Sequence, residues 1–268
     1  MLAVTEVSAA GEPRGGGVSL DGKVVLVTGA SSGMGQAIAV ACAREGADLA
    51  ITFRRNREGA DRTAAEIRAL GRRAEVMSAD VSRQEDLAAL AAGLRSNFGR
   101  VDAWINNAGA DILTGAGDRL SRLEKLDLLL AVDLRGTVLA SWTAVDFIRA
   151  QGGGGVIINM SWDHVIRGMP GENPVLYSAA KGGVMSFSKS LALDVAPDIR
   201  VNILAPGFIE TAFGQDADPS WRKKVEEMTP LRRWGRPEDV TGAAVYLASD
   251  AASFVTGQMI MVNGGVVM

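Results

Sequence analysis

The stretch VVLVTGASSGMG, residues 24–35, decides the fold of this 268-residue chain. Its first four residues are apolar and predict a short buried strand, and helical spacing of apolar residues follows over 33–44. Three glycines in the spacing G-x-x-x-G-x-G join the two segments. Glycines at such a turn let backbone N–H groups approach a pyrophosphate, and the helix N-terminus adds partial positive charge. The stretch therefore predicts a phosphate-binding loop, with a glycine-rich turn that binds nothing as the alternative.

Strand-like and helix-like segments alternate over nearly the whole chain. Short apolar runs predict strands at 24–27, 48–53, 74–77, 101–106, 156–160, 201–204 and 259–262. Helical spacing predicts helices at 33–44, 57–70, 83–98, 120–149, 174–195 and 238–249. Strands that are apolar on both faces are typical of a parallel sheet covered by helices on both sides. The pattern predicts one doubly wound α/β domain over residues 21–268, after a glycine-containing flexible tail at 1–20.

The composition excludes several classes of function. The chain has 28 basic and 31 acidic residues and a net charge of -3, without a basic block, so nucleic acid is not an expected partner. No apolar run approaches the length of a membrane span, and the N-terminus lacks the pattern of a signal peptide, so a membrane is not expected either. Together with one unpaired cysteine, these features predict a cytoplasmic protein.

The scarce residues narrow the possible chemistry. The chain has one His (His164), one Cys (Cys42) and two Tyr (Tyr177 and Tyr246). These counts exclude a Cys/His zinc site and an intrachain disulfide, and no metal site is expected. They also exclude a Ser/His/Asp triad unless His164 is its base. Acid–base catalysis would then use His164, a carboxylate, a Lys or a Tyr.

The end of the second predicted strand indicates which nucleotide the loop would take. An acidic residue at this place would bind the ribose 2′-hydroxyl of NAD. The strand ends instead in Phe53, Arg54 and Arg55, and two guanidinium groups can hold a 2′-phosphate by charge-assisted hydrogen bonds. NADP(H) is therefore favoured over NAD(H), and the alternative is that the two arginines are ordinary surface charges.

Four further motifs accompany the loop. Residues 106–109 read NNAG, Tyr177 and Lys181 form Y-x-x-x-K, residues 206–211 read PGFIET, and GRPED at 235–239 precedes TG at 256–257 and GG at 264–265. By these motifs, in this order, the sequence resembles the short-chain dehydrogenase/reductase family from about Leu20 to its end, in particular 3-oxoacyl reductase-like members. The resemblance implies a Rossmann-type seven-stranded parallel sheet, nicotinamide-dependent interconversion of a carbonyl and a secondary alcohol, and a homodimer or homotetramer.

The pair Tyr177 and Lys181 carries the expected chemistry. Residues four apart share one face of a helix, and a nearby ammonium stabilises a phenolate and so lowers the pKa of its tyrosine. Tyr177 could then give a proton to a carbonyl or take one from an alcohol, while the cofactor carries the hydride. By the resemblance, Lys181 also holds the nicotinamide ribose. The alternative for Tyr177 is a tyrosine packed on the core, and Tyr246 is interpreted in that way.

The sequence departs from the family pattern at two places. The family has a Ser after the fifth strand that hydrogen-bonds the reacting oxygen; alignment from the strand puts Trp162 there, with Ser161 one residue earlier, whereas counting back from Tyr177 gives His164. Ser161 is the weakly preferred catalytic residue, because a bulge could turn it into the site, and Asp163 or His164 is the alternative.

The second departure is Asp133, which stands where the family usually has an Asn. By the resemblance, the main-chain carbonyl of that residue holds a water that leads protons to the Lys, and a carbonyl survives the change to Asp. Asp133 is therefore kept as a catalytic candidate. Its alternative role is a helix Asp paired with Arg135 or with a neighbouring backbone group.

The loop motif and the resemblance together give a set of expected cofactor contacts. Besides Arg54, Arg55, Tyr177 and Lys181, the set comprises Gly29, Ser31, Ser32, Gly33, Met34, Gly35, Asp80, Val81, Asn107, Ala108, Gly109, Pro206, Gly207, Ile209 and Thr211. Asp80 has an alternative role as part of the N-terminal cap of the third helix.

Residues 208–234 would form a mobile lid over the substrate, by the same resemblance. Phe208, Phe213, Trp221 and Met228 suggest a partly apolar substrate, and the charged run at 222–224 is interpreted as a solvated helix face more readily than as an anion site. A different class of function remains open, namely a cofactor-binding sensor that has lost catalysis. The two departures favour the sensor, and the intact Tyr177 and Lys181 favour the enzyme.

Overall fold

The computed structural model describes residues 18–211, 214 and 218–268, and within them seven strands form one parallel sheet in the order β3-β2-β1-β4-β5-β6-β7. The strands are β1 Val24–Val27, β2 Asp48–Phe53, β3 Ala74–Ser78, β4 Ala103–Asn106, β5 Gly155–Met160, β6 Ile199–Pro206 and β7 Met259–Val262. Every neighbouring pair is parallel. The predicted seven-stranded, doubly wound α/β fold is confirmed.

Helices cover both faces of the sheet. They are α1 Gly33–Arg44, α2 Arg57–Ala69, α3 Gln84–Asn97, α4 Gly115–Asp118, α5 Arg122–Leu129, α6 Gly136–Gln151, α7 Glu172–Val195, α8 Pro219–Met228 and α9 Pro237–Ala248. One buried cluster joins the sheet to α1, α2 and α9, and the other joins it to α3, α6 and α7. Along β1, Val25 and Val27 belong to the first cluster and Val24 and Leu26 to the second, which is why the strand is apolar throughout.

The two buried clusters also fix where the domain begins. Leu20 was predicted to lie in the flexible tail, but its side chain is fully buried in the cluster around α1, and its N–H donates to the Glu45 carbonyl at 2.8 Å. The tail prediction is therefore wrong at this residue, because an apolar side chain here fills the space beside α1. The rest of the predicted tail, up to residue 17, lies outside the described residues.

The helix between β4 and β5 is continuous but irregular. A π-helical segment, Leu130–Arg135, joins α5 to α6, so that Arg122–Gln151 forms one helix of 30 residues. Its length and composition would allow it to cross a bilayer, which the sequence did not predict, but half of its most apolar window is buried inside the protein. It packs on α3, α7, β4 and β5, as a core helix does.

Two differences from the predicted elements have a clear cause. β6 extends to Pro206 because β5 pairs with its residues 199–204 and β7 pairs with its residues 203–206. The helix α8 was not predicted as an element, since its sequence PSWRKKVEEM is largely polar and only Val225 is fully buried. Cys42 is buried in α1, and burial, with a smaller contribution from Glu45, raises the pKa of its thiol to about 12, so it is not a nucleophile.

Candidate active site

A single cleft lies where the strand order reverses. The chain leaves β1 toward β2 on one side, while β4 lies on the other side, and the loops after the carboxyl ends of these strands diverge. They enclose a cleft of about 2010 Å³, which all nineteen residues predicted to contact the cofactor line, together with Ser161. Asp133 is fully buried and does not line the cleft, but it contacts Lys181, which does.

The phosphate loop is built so that its backbone faces the cleft. Gly29 and Gly33 have φ of +66° and +56°, in the left-handed region that favours glycine. A Cβ atom on Gly35 would lie 2.4 Å from both the Gly29 carbonyl oxygen and the Asn107 Nδ2 atom. A Cβ atom on Gly33 would meet only Thr211 at 3.6 Å, so the chain here leaves a cradle that a phosphate could fill.

The NNAG motif is attached to this loop by hydrogen bonds. The Thr28 hydroxyl accepts from the N–H groups of Asn107 and Ala108, both at 3.0 Å, and the Asn107 amide donates to the Thr28 carbonyl at 2.9 Å. Ser32 stands at the N-cap of α1 but forms no capping hydrogen bond with its side chain. Ser32 therefore does not cap the first N–H groups of α1, and such uncapped N–H groups are what an anion site requires.

The two arginines after β2 lie at the far end of the cleft. Arg54 Nη1 is 3.7 Å from Asp80 Oδ2, and Arg55 is exposed and forms no ion pair with any residue that the structure describes. No acidic residue follows β2 directly, since Asn56 caps α2 by accepting from the Gly59 N–H. The cleft beside the end of β2 therefore carries two guanidinium groups.

Asp80 does not cap the third helix. α3 begins at Gln84 with Arg83 at its N-cap, so the alternative role given to Asp80 is wrong. Its Oδ1 atom instead accepts from the N–H and hydroxyl of Ser82, which closes a tight turn. Burial would raise the pKa of Asp80, but the Ser82 hydrogen bonds and the charges of Arg54 and Arg83 together lower it. Asp80 is thus a carboxylate at the rim of the cleft.

The Tyr177–Lys181 pair lies on α7 beside the carboxyl end of β5. Lys181 is almost fully buried, and its Nζ donates to the Met160 carbonyl at 3.1 Å and lies 2.9 Å from Asp133 Oδ1. The same nitrogen lies 5.6 Å from the centre of the Tyr177 ring. The ammonium is therefore fixed by two oxygens from other elements, beside the tyrosine whose charge it would stabilise.

Asp133 reaches Lys181 because the helix is widened at this point. It belongs to the π-helical segment, and its Oδ2 atom accepts from the Ala110 N–H at 2.9 Å. Its main-chain carbonyl accepts from the Thr137 hydroxyl at 2.7 Å. Arg135 donates to the Ser82 carbonyl instead, so the expectation that it pairs with Asp133 is wrong. The side chain, and not only the carbonyl, therefore acts on Lys181.

The buried charges set the protonation of the pair. Burial raises the pKa of Tyr177; the Lys181 ammonium opposes this shift and the Asp133 carboxylate adds to it, so the overall pKa is raised. Burial would lower the pKa of Lys181, but Asp133 and Tyr177 outweigh it and raise the pKa overall. At neutral pH the phenol therefore keeps its proton beside a charged ammonium, which is the form that gives a proton to a carbonyl oxygen.

Ser161 lines the cleft, and its hydroxyl is bound to α7. The hydroxyl donates to the Lys181 carbonyl at 2.8 Å, and the Ser161 N–H donates to the Leu204 carbonyl. In this arrangement the hydroxyl proton points to α7 and not to a substrate oxygen. The next residue, Trp162, packs its ring edge-on against Tyr177 with 5.4 Å between the ring centres.

The following two residues form a buried pair. His164 Nδ1 lies 2.7 Å from Asp163 Oδ1, and Asp163 Oδ2 accepts from Asn263 Nδ2 at 3.0 Å. Asp163 is fully buried and His164 is 2% exposed, yet His164 lines the cleft. The interval to Tyr177 in the sequence indicated His164, whereas Asn263 carried no signal because it lies 100 residues further along the chain.

Aromatic rings form the outer wall of the cleft. Phe208 contacts His164, Trp221 and Trp234 with 5.4, 5.8 and 5.7 Å between ring centres. Phe208, Trp221 and Met228 line the cleft as predicted, whereas Phe213 lies outside the described residues. In the charged run, Arg222 is bound to Glu210 and to the Gly214 carbonyl, so only its neighbours on α8 form a solvated face.

Known proteins resemble the chain over nearly its whole length. The family model described as enoyl-(acyl carrier protein) reductase matches residues 29–267. The chain is 39% identical to 3beta-hydroxysteroid dehydrogenase 1 of Eggerthella lenta, covering 93% of this chain and 95% of that protein. It is 34% identical to glucose 1-dehydrogenase 2 of Bacillus subtilis, covering 93% and 96%.

Solved structures show the same architecture. A short-chain type dehydrogenase/reductase from Mycobacterium marinum superposes with a TM-score of 0.85 at 31% identity, over 93% of this chain and 97% of that one. A gluconate 5-dehydrogenase from Burkholderia cenocepacia, in complex with NADP and tartrate, superposes with a TM-score of 0.84 at 31% identity, over 93% and 96%. Both identities are high enough for the likeness to extend beyond the fold.

Proposed function

The chain belongs to the short-chain dehydrogenase/reductase family, and we propose that within this family it is an NADP(H)-dependent oxidoreductase that interconverts a carbonyl and a secondary alcohol. It is an enzyme that acts on alcohol and carbonyl groups. The observation that carries the finer proposal is the placement of Tyr177 and the buried Lys181 in the cleft that the phosphate loop and the two arginines also line.

Each residue of the pair has a distinct role in the proposed reaction. When bound, the nicotinamide cofactor supplies or accepts the hydride. In reduction, the Tyr177 hydroxyl donates its proton to the substrate oxygen, and in oxidation the phenolate takes it back. The Lys181 ammonium stabilises the phenolate, and Asp133 and the Met160 carbonyl hold that ammonium in place. Lys181 would also contact the nicotinamide ribose.

The preference for NADP(H) is supported by the residues after β2. Arg54 and Arg55 line the cleft without an acidic residue beside them on the strand end, and a 2′-phosphate would pair with both. One structural relative, the gluconate 5-dehydrogenase, holds NADP. Titration with each nucleotide, followed by the quenching of tryptophan fluorescence, tests the preference. Tighter binding of NADH than of NADPH would contradict it.

The substrate is proposed to be a ketone or secondary alcohol on a partly apolar body, of the 3-oxoacyl kind or similar in polarity. Trp162, Phe208, Trp221 and Met169 line its side of the cleft. The relatives are named for a steroid and for a sugar, so the panel should hold hydroxysteroids, sugars and 3-oxoacyl thioesters. Turnover of any of them that is lost in Tyr177→Phe supports the proposal. NADPH binding without turnover, and without any effect of Tyr177→Phe, would favour the cofactor sensor.

We also propose that the protein is a cytoplasmic homo-oligomer, a dimer or tetramer, without a nucleic-acid or membrane partner. The support for assembly is a set of exposed apolar side chains on the long helix and on α7: Leu123, Leu130, Trp142, Val175 and Leu193. Light scattering after gel filtration gives the mass directly. A monomer at micromolar concentration would contradict this part of the proposal.

A further inference from the structure

We propose that His164, held by Asp163 and through it by Asn263, is a second hydrogen-bond donor to the reacting oxygen of the substrate, in addition to the Tyr177 hydroxyl. The inference rests on the proposed function, because it places a further group on the same reacting oxygen. It assigns to His164 the hydrogen bond to the reacting oxygen that was expected of Ser161. Three features of the described residues carry it: the burial of Asp163, the free edge of His164, and the rings on either side of it.

The first feature is the buried carboxylate of Asp163. Asp163 is fully buried, and it accepts from three N–H donors: the His164 N–H at 2.8 Å, His164 Nδ1 at 2.7 Å and Asn263 Nδ2 at 3.0 Å. A carboxyl group surrounded by donors is ionised, since it has no acceptor for a proton of its own. Burying an ionised group is costly unless it is paired, so a merely structural loop would favour an apolar residue here.

The second feature is the orientation that Asp163 gives to the imidazole. Because the carboxylate accepts a hydrogen bond from Nδ1–H, the other ring nitrogen, Nε2, is the atom left for an external partner. Among the residues that the structure describes, no group forms a hydrogen bond with Nε2, and His164 lines the cleft. The arrangement of carboxylate, Nδ1 and free Nε2 is the one by which carboxylates orient catalytic histidines in general.

The third feature is the aromatic support of the ring. His164 stacks on Trp162 with 4.7 Å between centres and an interplanar angle of 22°, and Phe208 meets it edge-on at 5.4 Å. Trp162 in turn contacts Tyr177 edge-on. The imidazole therefore has a fixed plane and lies on the same wall of the cleft as the proton donor. Such support is expected of a group that must orient a substrate.

The hydrogen bond to Asp163 also decides what Nε2 offers to a substrate. With Nδ1–H donated to the carboxylate, Nε2 donates a hydrogen bond when it also carries a proton, and the Asp163 carboxylate then lies against the charged ring. Trp162 and Phe208, whose rings pack against the imidazole, carry no charge. In the proposed reduction, Nε2–H would therefore donate to the substrate oxygen while the Tyr177 hydroxyl transfers its proton.

The test is the steady-state reduction of ketones by wild type and three variants. His164→Phe removes the donor and should lower kcat/KM by about 100-fold, as loss of one donor to a developing oxyanion does. His164→Gln keeps a hydrogen-bond donor near the same place, so its kcat/KM should fall by only about tenfold. Asp163→Asn should lower kcat/KM about as much as His164→Phe, because Nδ1 is then no longer hydrogen-bonded to a carboxylate.

Ile166→Ala is the matched control, since Ile166 follows the same short turn, is 53% exposed and does not line the cleft. Each variant should keep the NADPH affinity and the melting temperature of wild type, which shows that it is folded and binds the cofactor. A kcat/KM of His164→Phe within twofold of wild type, or a kcat/KM of His164→Gln no higher than that of His164→Phe, would overturn the inference. The inference would also be overturned if kcat/KM of the His164 variants fell only for substrates with a hydroxyl next to the carbonyl. That result would mean that His164 binds this hydroxyl instead of the reacting oxygen.

The failure of this inference is distinct from failure of the proposed function. If Tyr177→Phe abolishes turnover while the His164 variants do not affect it, the oxidoreductase stands and only the second donor is wrong. If Tyr177→Phe has no effect, the proposed proton transfer itself fails. The two sets of variants therefore separate the two claims in a single series of measurements.

Discussion

The two halves of the cleft are built by different means. On the side of β1 and β4, the chain presents backbone: glycines with positive φ, an open helix N-terminus, and a motif tied down by Thr28. On the side of β5 and α8, it presents side chains: a buried Asp–Lys pair, a buried Asp–His pair and four aromatic rings. The nucleotide half therefore depends on backbone conformation, whereas the substrate half depends on the identity of its side chains.

The largest expected effect lies in the substrate half. Tyr177→Phe removes the only hydroxyl proposed to transfer a proton, and kcat should fall by about 10³-fold, within the range of general acid–base catalysis. NADPH binding should be kept, because the nucleotide half is intact. Tyr246→Phe is the matched control, since Tyr246 packs on the core around α9 and does not line the cleft. An equal loss in both variants would show a general effect on folding instead.

The nucleotide half is tested next, through its only cationic side chains at the strand end. Each charge-assisted contact to a 2′-phosphate contributes about 1.5 kcal/mol. Replacing Arg54 and Arg55 together by Ala should therefore weaken NADPH relative to NADH by about 100-fold. Arg57→Ala is the control, since Arg57 follows directly but pairs with Asp61 on the surface. An unchanged ratio of the two Kd values would assign the arginines to the solvated surface.

A smaller effect is expected where backbone segments of the nucleotide half lie close together, at Gly35. Gly35→Ala places a Cβ atom 2.4 Å from two atoms of neighbouring segments, so the loop must shift. Overpacking of this kind destabilises by about 1–3 kcal/mol, and NADPH affinity should fall with it. Gly242→Ala, in a helix with nothing within 4 Å, should instead stabilise by about 0.5–1 kcal/mol. Denaturant unfolding of both variants checks the contrast.

The same contrast explains what the sequence predicts well. The elements and the nucleotide half follow from local patterns, since glycine spacing and apolar periodicity act over a few residues. The substrate half depends on contacts between distant segments: Asp163 with Asn263, Asp133 with Lys181, and Ser161 with the Lys181 carbonyl. The hydrogen bond from the Ser161 hydroxyl to α7 carries no local signal, and α8 was missed because most of its residues are polar. Loop length alone pointed correctly to His164 in the cleft.

The last prediction concerns Asp133, where the two halves meet. Its carboxylate raises the pKa of both Tyr177 and Lys181. Asp133→Asn removes this charge, so the pKa of Tyr177 should fall, and the phenolate should form at lower pH. Oxidation needs the phenolate, so its acid limb should move to lower pH. Reduction needs the phenol, so its alkaline limb should move to lower pH as well.

The direction of this shift distinguishes the side chain from the main chain. If Asp133 acted only through its carbonyl, the substitution would keep that carbonyl and leave both limbs in place. Asp127→Asn, an exposed change on the preceding turns of the same helix, controls for net charge. A shift in Asp133→Asn alone would show that the Asp133 carboxylate acts directly on the pair. By raising the pKa of Tyr177, that charge favours the phenol, which is the form that donates a proton to a carbonyl.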